Sequence, residues 1–250
     1  MPEGHTIHRI ARDHTRDFGG QKLRLSSPQG RFSAEAAELN GCKLLKVEAY
    51  GKHLFYHLSR QRLVHVHLGL YGKFRTHRMP PPEPRGAVRW RALGKEKAFD
   101  LNGPNCCELI STDKLQTILA RLGPDPLRND ADMGQVVQRI QGSRSAIGTL
   151  LLNQAVIAGV GNVYRAEALH KLGIHPERPG NSFASTDLES RWDLLVEDLS
   201  IGVKYNRIIT ADPRAVGKPY SRMNRKERGL VYKQRQCGRC GDRIVSWTLG

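Results

Sequence analysis

The run Gly123-Pro124-Asp125-Pro126 constrains this chain more than any other feature, because neither a helix nor a central strand passes through it. Each proline fixes φ and lacks an amide donor, and each pushes the residue before it toward extended backbone. The run divides the chain, and the patterning differs on its two sides. Ahead of it, Ile7, Ile10, His14 and Phe18 recur at helical spacing until Gly19-Gly20, which predicts one amphipathic helix close behind the N-terminus. Lys43–Val47, His53–Leu58 and Leu63–Leu68 are then rich in Val, Leu and aromatics and punctuated by Gly51 and Ser59-Arg60-Gln61, as in antiparallel strands of a sandwich or barrel. His77–Gly86 holds four prolines and reads as a loop.

From Ser111 the period changes. A cap at Ser111 or Thr112 precedes Leu115, Ile118, Leu119 and Leu122 on one helical face, and Gly123 ends it. Beyond the break, Ile147–Asn153 and Asn162–Leu172, the latter stopped by Gly173, read as helices, and Thr186-Asp187-Leu188-Glu189 reads as a capping box opening a third. At 250 residues the chain exceeds what one core comfortably fills, so two domains and a small appendage are expected.

The formal net charge is +16, which calls for a polyanionic partner, nucleic acid first. No run approaches a membrane-spanning length, and MPEGHTIHRI lacks the apolar core of a signal peptide. Five cysteines, an odd number, fit a reduced cytoplasmic setting without disulfides. The charge is uneven: Lys204 to Arg243 carries twelve Lys and Arg against three acids. Such a block is either a solvated arm or a binding face, and the interspersed Val231, Tyr232 and Ile244 argue against disorder.

Two segments carry candidate chemistry. In Ala158-Gly159-Val160-Gly161-Asn162 the glycines allow a tight turn whose amides, at a helix start, would face an anion such as phosphate, with Asn162 both capping and donating. Two glycines between helices are also ordinary turn chemistry, and both readings stand on this segment alone. At the N-terminus, removal of Met1 would leave Pro2 as a secondary amine, which titrates at about 8 rather than about 10 for a lysine and condenses with an aldehyde carbon to an iminium. A helix beginning just after it would disfavour the protonated amine further. Glu3 would stand where a carboxylic acid could protonate a ring oxygen or leaving group.

MPEG at the start, GKHLF around Lys52, HLGLYG at 67–72, LGPDPL at 122–127 and AGVGNVYRAEAL at 158–169 together resemble the formamidopyrimidine-DNA glycosylase and endonuclease VIII family, in the family's order over most of the chain. The resemblance implies an α+β multidomain fold: a β-sandwich with a leading helix at 1–120, a linker at 121–133, a helix-two-turn-helix DNA-binding domain at 134–215, and a basic segment at 216–250 carrying part of a zinc-finger hairpin. Damaged duplex DNA would lie in the cleft between the domains, bound by a monomer. Pro2 would attack C1′ of the damaged nucleotide, Glu3 would protonate the opening sugar, and Lys52 would contact phosphate and act in strand-cleaving elimination. Gly161 and Asn162 would hold phosphate, and Arg121 matches a DNA-contacting position.

A base extruded from the duplex leaves a gap, and Leu70 and Tyr71 are the candidates to fill it. The alternative for Leu70 is packing inside a strand. Leu-Tyr here resembles the endonuclease VIII branch, where formamidopyrimidine-type members carry methionine, so oxidised pyrimidines are the expected substrate and oxidised purines the alternative.

The chain departs from the family pattern at Thr6, where many members carry a second glutamate, and at Gly148, where purine-repair members place a phosphate-binding lysine. The finger is the third departure. Cys237 and Cys240 make half of a four-cysteine zinc site, but only ten residues follow, fewer than the ~15–20 that usually separate the pairs. Truncation is the simplest reading of the missing pair, and the family's DNA-contacting finger arginine would lie beyond Gly250. Two thiolates alone forfeit much of the ~10–16 kcal/mol that a full structural zinc site supplies. Cys42, Cys106 and Cys107 are read as packed thiols. Two functions follow: a bifunctional glycosylase and abasic-site lyase, or a catalytically weak DNA-binding protein of the same fold. Only the first forms a covalent intermediate.

Overall fold

A computed structural model describes residues 2–237 and 240–247. The chain divides into two compact units, one holding Pro2 and Ile7–Ala120, the other Glu3–Thr6 and the described residues from Arg121 onward. No helix among the described residues is long and apolar enough to cross a membrane.

Helix α1 (Gly4–Phe18), which belongs to the first unit from Ile7 onward, is followed in that unit by β1 (Arg24–Ser26), α2 (Ser33–Leu39), β2 (Leu44–Tyr50), β3 (His53–Leu58), β4 (Arg62–His67), β5 (Lys73–Arg78), β6 (Val88–Leu93), β7 (Lys97–Asn102), β8 (Cys106–Ile110) and α3 (Thr112–Ala120). The strands form two antiparallel four-stranded sheets, ordered β1-β6-β7-β5 and β2-β3-β4-β8. Alternation decides the core: Leu54, Tyr56 and Leu58 of β3 and Val64 and Val66 of β4 join Trp90 and Phe99 of the other sheet in one apolar cluster. Tyr56 meets Trp90 edge-on at 4.9 Å, and Trp90 meets Phe99 at 5.1 Å.

Ile7 and Phe18 of α1 enter this core as their spacing predicts, Ile10 packs against it half-buried, and Ala11 joins it. His14 lies on the same stripe, fully buried, with its Nδ1 2.8 Å from the Tyr56 hydroxyl. Burial holds its pKa down at about 4, so it serves as a neutral core side chain. Ser111 caps α3, its hydroxyl accepting from Lys114 N at 3.2 Å.

The loop expected over His77–Gly86 begins later, because β5 runs on to Arg78 and pairs His77 with Ala98 and Arg78 with Lys97. The ladder continues until the first proline removes a donor. α2 and β1 have no counterpart in the sequence reading, being too short to show a period.

The second unit contains α4 (Met133–Gln141), α5 (Ile147–Leu150), α6 (Asn162–Lys171), α7 (Ser185–Tyr205) and α8 (Pro213–Val216). Val136, Ile140, Ile157, Tyr164, Leu188 and Leu195 are among its core residues. The Gly-Pro-Asp-Pro run is packed into this unit: Gly123 N donates to Gln154 O at 2.8 Å and Ala158 N to Pro124 O at 3.0 Å. The capping box expected at Thr186 does not form. α7 starts two residues earlier, with Ala184 at the cap and no side-chain cap bond, which puts Thr186 inside the first turn.

Candidate active site at the start of α6

Glu3 is wholly buried. Its carboxylate lies across the start of α6 and accepts from Gly161 N at 3.0 Å, Val163 N at 2.9 Å and Tyr164 N at 3.4 Å. These amides are donors that a helix N-terminus leaves without intrahelical partners, and the positive dipole end lies at the same place. Three amide donors converging on one carboxyl fix its position and orientation.

Glycine makes the seat. A Cβ on Gly161 would stand 2.7 Å from Glu3 Cγ and Oε1, so any side chain there displaces the carboxylate. Gly4 N donates to Gly159 O at 2.8 Å, and a Cβ on Gly4 would press on Gly159 Cα at 3.0 Å. The glycines of MPEG and AGVGN thus answer one another. Gln154 staples the turn, with Oε1 accepting from Gly159 N at 3.0 Å and Nε2 donating to Val160 O at 3.0 Å. His5 packs edge-on to Tyr164 at 5.4 Å, and burial lowers its pKa to about 4.

The first unit presents Lys52 in the turn between β2 and β3, half-buried beside Gly51. Leu70 and Tyr71 occupy the tight turn after β4, where Gly72 N donates to Leu68 O at 3.0 Å. Gly69 at the turn has φ +64°, and a Cβ there would collide with Asn105 Cβ at 2.8 Å, so a glycine is required to close it. The turn leaves Leu70 54% and Tyr71 82% exposed, which separates Leu70 from the strand-packing alternative.

Residues 1–104 match the formamidopyrimidine-DNA glycosylase N-terminal domain and residues 122–213 match the formamidopyrimidine-DNA glycosylase H2TH domain. Endonuclease 8 1 of Mycobacterium bovis is 45% identical over 255 residues, spanning 100% of this chain and 95% of the relative. The chain belongs to the formamidopyrimidine-DNA glycosylase and endonuclease VIII family. It is a DNA glycosylase homologous to endonuclease 8, and enzymes of this family pair base excision with abasic-site lyase activity. A formamidopyrimidine-DNA glycosylase of Desulfitobacterium hafniense is 28% identical over 214 residues, 82% of this chain and 78% of the relative. The fold is that of Lactococcus lactis Fpg in complex with DNA containing N7-benzyl-Fapy-dG, with TM-score 0.82 and 23% identity over 99% of this chain and 95% of that one.

Within this glycosylase the structure alters the reading of the α6 start. Gly161, not Asn162, stands at the cap, without a side-chain cap bond. The Gly161, Val163 and Tyr164 amides at this helix start are taken by Glu3, and Asn162 carries a half-buried side chain beside them. Arg121 is exposed at the end of α3. At Gly148, where purine-repair members carry lysine, a cation is present from elsewhere: Arg165 Nη1 lies 3.3 Å from Gly148 O.

Sequence reasoning missed Glu167. Fully buried on α6, it accepts from Thr210 Oγ1 and Leu230 N at 2.7 Å each, Val231 N at 2.9 Å and Tyr232 N at 2.7 Å. This carboxylate fastens part of the basic segment to the helix that seats Glu3. An acid inside Tyr-Arg-Ala-Glu-Ala-Leu was the available signal.

Of the finger, Cys237 Sγ lies 3.7 Å from His170 Nε2 and Cys240 Sγ 3.3 Å from Asp242 Oδ2; residues 238 and 239 lie outside the described residues. The donors present fill two thiol positions of a four-cysteine zinc site. The three remaining thiols are not alike. Cys42 and Cys107 pack in the sandwich core, but Cys106 lies half-buried on the opposite face of β8, because neighbours along a strand point to opposite sides.

Proposed function

We propose that this chain removes oxidised bases, pyrimidines in preference to purines, from duplex DNA and cleaves the strand at the abasic site. The observation that carries the reading is the carboxylate of Glu3 seated on three amides, next in sequence to Pro2. Removal of Met1 would free the Pro2 amine. Attack of its lone pair on C1′ expels the base, which leaves with the bonding pair and takes a proton from water. Glu3 accepts the proton released by the amine and returns it to the sugar-ring oxygen as the ring opens, leaving the iminium. Transfer of a C2′ proton to water then turns the iminium into an enamine, which expels the phosphate on C3′ with its bonding pair.

Lys52 contacts the phosphate and assists this elimination. Asn162 and Arg121 bind backbone phosphates, Arg165 supplies the cation missing at Gly148, and the exposed Leu70 and Tyr71 fill the gap left by the flipped base. Cys237 and Cys240 would supply two of the four ligands of a structural zinc. About six phosphate contacts would cost roughly three decades of affinity between 50 and 200 mM salt. The Leu-Tyr turn and the 45% identity to Endonuclease 8 1 favour pyrimidines.

Single-turnover excision from duplexes carrying an oxidised pyrimidine or an oxidised purine tests the preference. At least tenfold faster release of the pyrimidine is expected. Equal or reversed rates would overturn the substrate assignment, and tight binding of both without release would favour a binding protein.

A further inference from the structure

The outer face of the second sheet carries a side-chain cluster that the DNA chemistry does not use. In β4 and β8 the residues facing the core are Val64, Val66 and Cys107, so His65, Cys106 and Glu108 share the opposite face. The register sets His65 directly across from Glu108, with Cys106 one step along the edge strand β8. His65 Nδ1 is 3.2 Å from Glu108 Oε1 and 3.5 Å from Cys106 Sγ, and the three ligand atoms all lie within 4.8 Å of one another.

The two separations from His65 Nδ1 are close to the edges of a tetrahedral zinc shell, and the third is bounded at 4.8 Å. Zn–N and Zn–O bonds of about 2.0–2.1 Å and a Zn–S bond of about 2.3 Å give ligand-to-ligand edges of about 3.3–3.6 Å. The imidazole is already oriented, since its other nitrogen, Nε2, lies 2.9 Å from His53 Nδ1, and a partner at the second ring nitrogen fixes the orientation of a ligand histidine. His65 is 7% and Glu108 46% exposed at the side chain, so the cluster has a dry back and an open front through which an ion can enter and keep a water as fourth ligand.

The geometry points to a divalent-metal site formed by His65 Nδ1, Cys106 Sγ and Glu108, selective for thiophilic borderline ions of the zinc class. The mixed imidazole, thiolate and carboxylate set suits zinc, cobalt or cadmium over magnesium or calcium, which take all-oxygen shells. Binding replaces the thiol proton, which passes to solvent as the sulfur–metal bond forms. The ion ties β4 to the edge strand β8, and it is separate from the Cys237 and Cys240 pair.

Cobalt titration of the full chain carrying Cys237→Ser and Cys240→Ser tests the site, after chelator treatment and removal of the chelator. One equivalent is expected, with a thiolate-to-cobalt charge-transfer band and the visible bands of tetrahedral cobalt, displaced by one equivalent of zinc. Adding Cys106→Ser should abolish the charge-transfer band. Glu108→Gln, at a half-exposed position that leaves the fold intact, should weaken uptake at least tenfold. In the chain with both finger cysteines present, Cys106→Ser should remove one bound equivalent. Absence of the band, or a band and stoichiometry unmoved by Cys106→Ser and Glu108→Gln, would overturn the proposal.

Discussion

Replacing Gly161 by alanine isolates the seat of Glu3 from every other feature of the glycosylase. Gly161 has φ −126° and ψ −166°, extended backbone that alanine adopts freely, so the substitution adds no backbone strain. Its whole effect is the new Cβ, 2.7 Å from Glu3 Cγ and Oε1 where ordinary contact needs more than about 3.4 Å. The carboxylate must retreat and give up one or two of its three amides. Hydrogen bonds to a charged group contribute about 1.5–3 kcal/mol each, so losing one outright and weakening a second costs about 2–4 kcal/mol. If Glu3 acts from this seat, that corresponds to excision slowed roughly thirtyfold to a thousandfold. The assay is single-turnover base release, with the thermal midpoint measured in parallel to confirm that the variant is folded at the assay temperature. A double-mutant cycle sharpens the test: in a Glu3→Ala background the space is vacant, and Gly161→Ala should add almost nothing. Wild-type rates in Gly161→Ala, or full additivity with Glu3→Ala, would refute the reasoning.

Glu167→Ala strips a buried acceptor from one hydroxyl and three amides. A loss of about 3 kcal/mol is expected, seen as a fall of about 6–12 °C in the thermal midpoint, and a fall under 2 °C would contradict it. His14 gives a pH signature. The unfolded chain protonates this histidine near its ordinary 6.5 and the folded chain only near 4, so stability is full above 6.5 and declines as pH falls from 6.5 toward 4. The decline attributable to His14 reaches about 3 kcal/mol; denaturant unfolding of His14→Phe against pH should show a shallower acid slope, and an unchanged slope would count against a buried neutral imidazole. Leu70→Ala and Tyr71→Ala, both at exposed positions, should leave stability within about 0.5 kcal/mol. Each should weaken binding of lesion duplex roughly fivefold to a hundredfold, and unaltered affinity would remove them from the DNA interface.

Much of this was legible in the sequence because the signals are local. Ile7, Ile10 and Phe18 announce α1, alternating apolar residues announce β3 and β4, and Gly123-Pro124-Asp125-Pro126 announces the change in patterning. Short elements carry no such period: β1 spans three residues and α2 seven. α4 was missed although Asp132 caps it and Val136 and Ile140 stand four apart on its buried face. Long-range pairings left the least trace. That Glu3, rather than a phosphate, takes the Gly161 and Val163 amides joins residues some 160 positions apart. The difference between Cys106 and Cys107 depends on strand phase, which residue types alone do not give.

Borohydride trapping tests most directly whether Pro2 is the nucleophile. Duplex DNA carrying an abasic site or an oxidised pyrimidine is incubated with the processed chain, with Pro2→Ala and with a form retaining Met1, and any iminium is reduced to a stable adduct. The predicted result is an adduct from the processed chain alone. Tight DNA binding without an adduct, or an adduct of equal yield from Pro2→Ala, would contradict it.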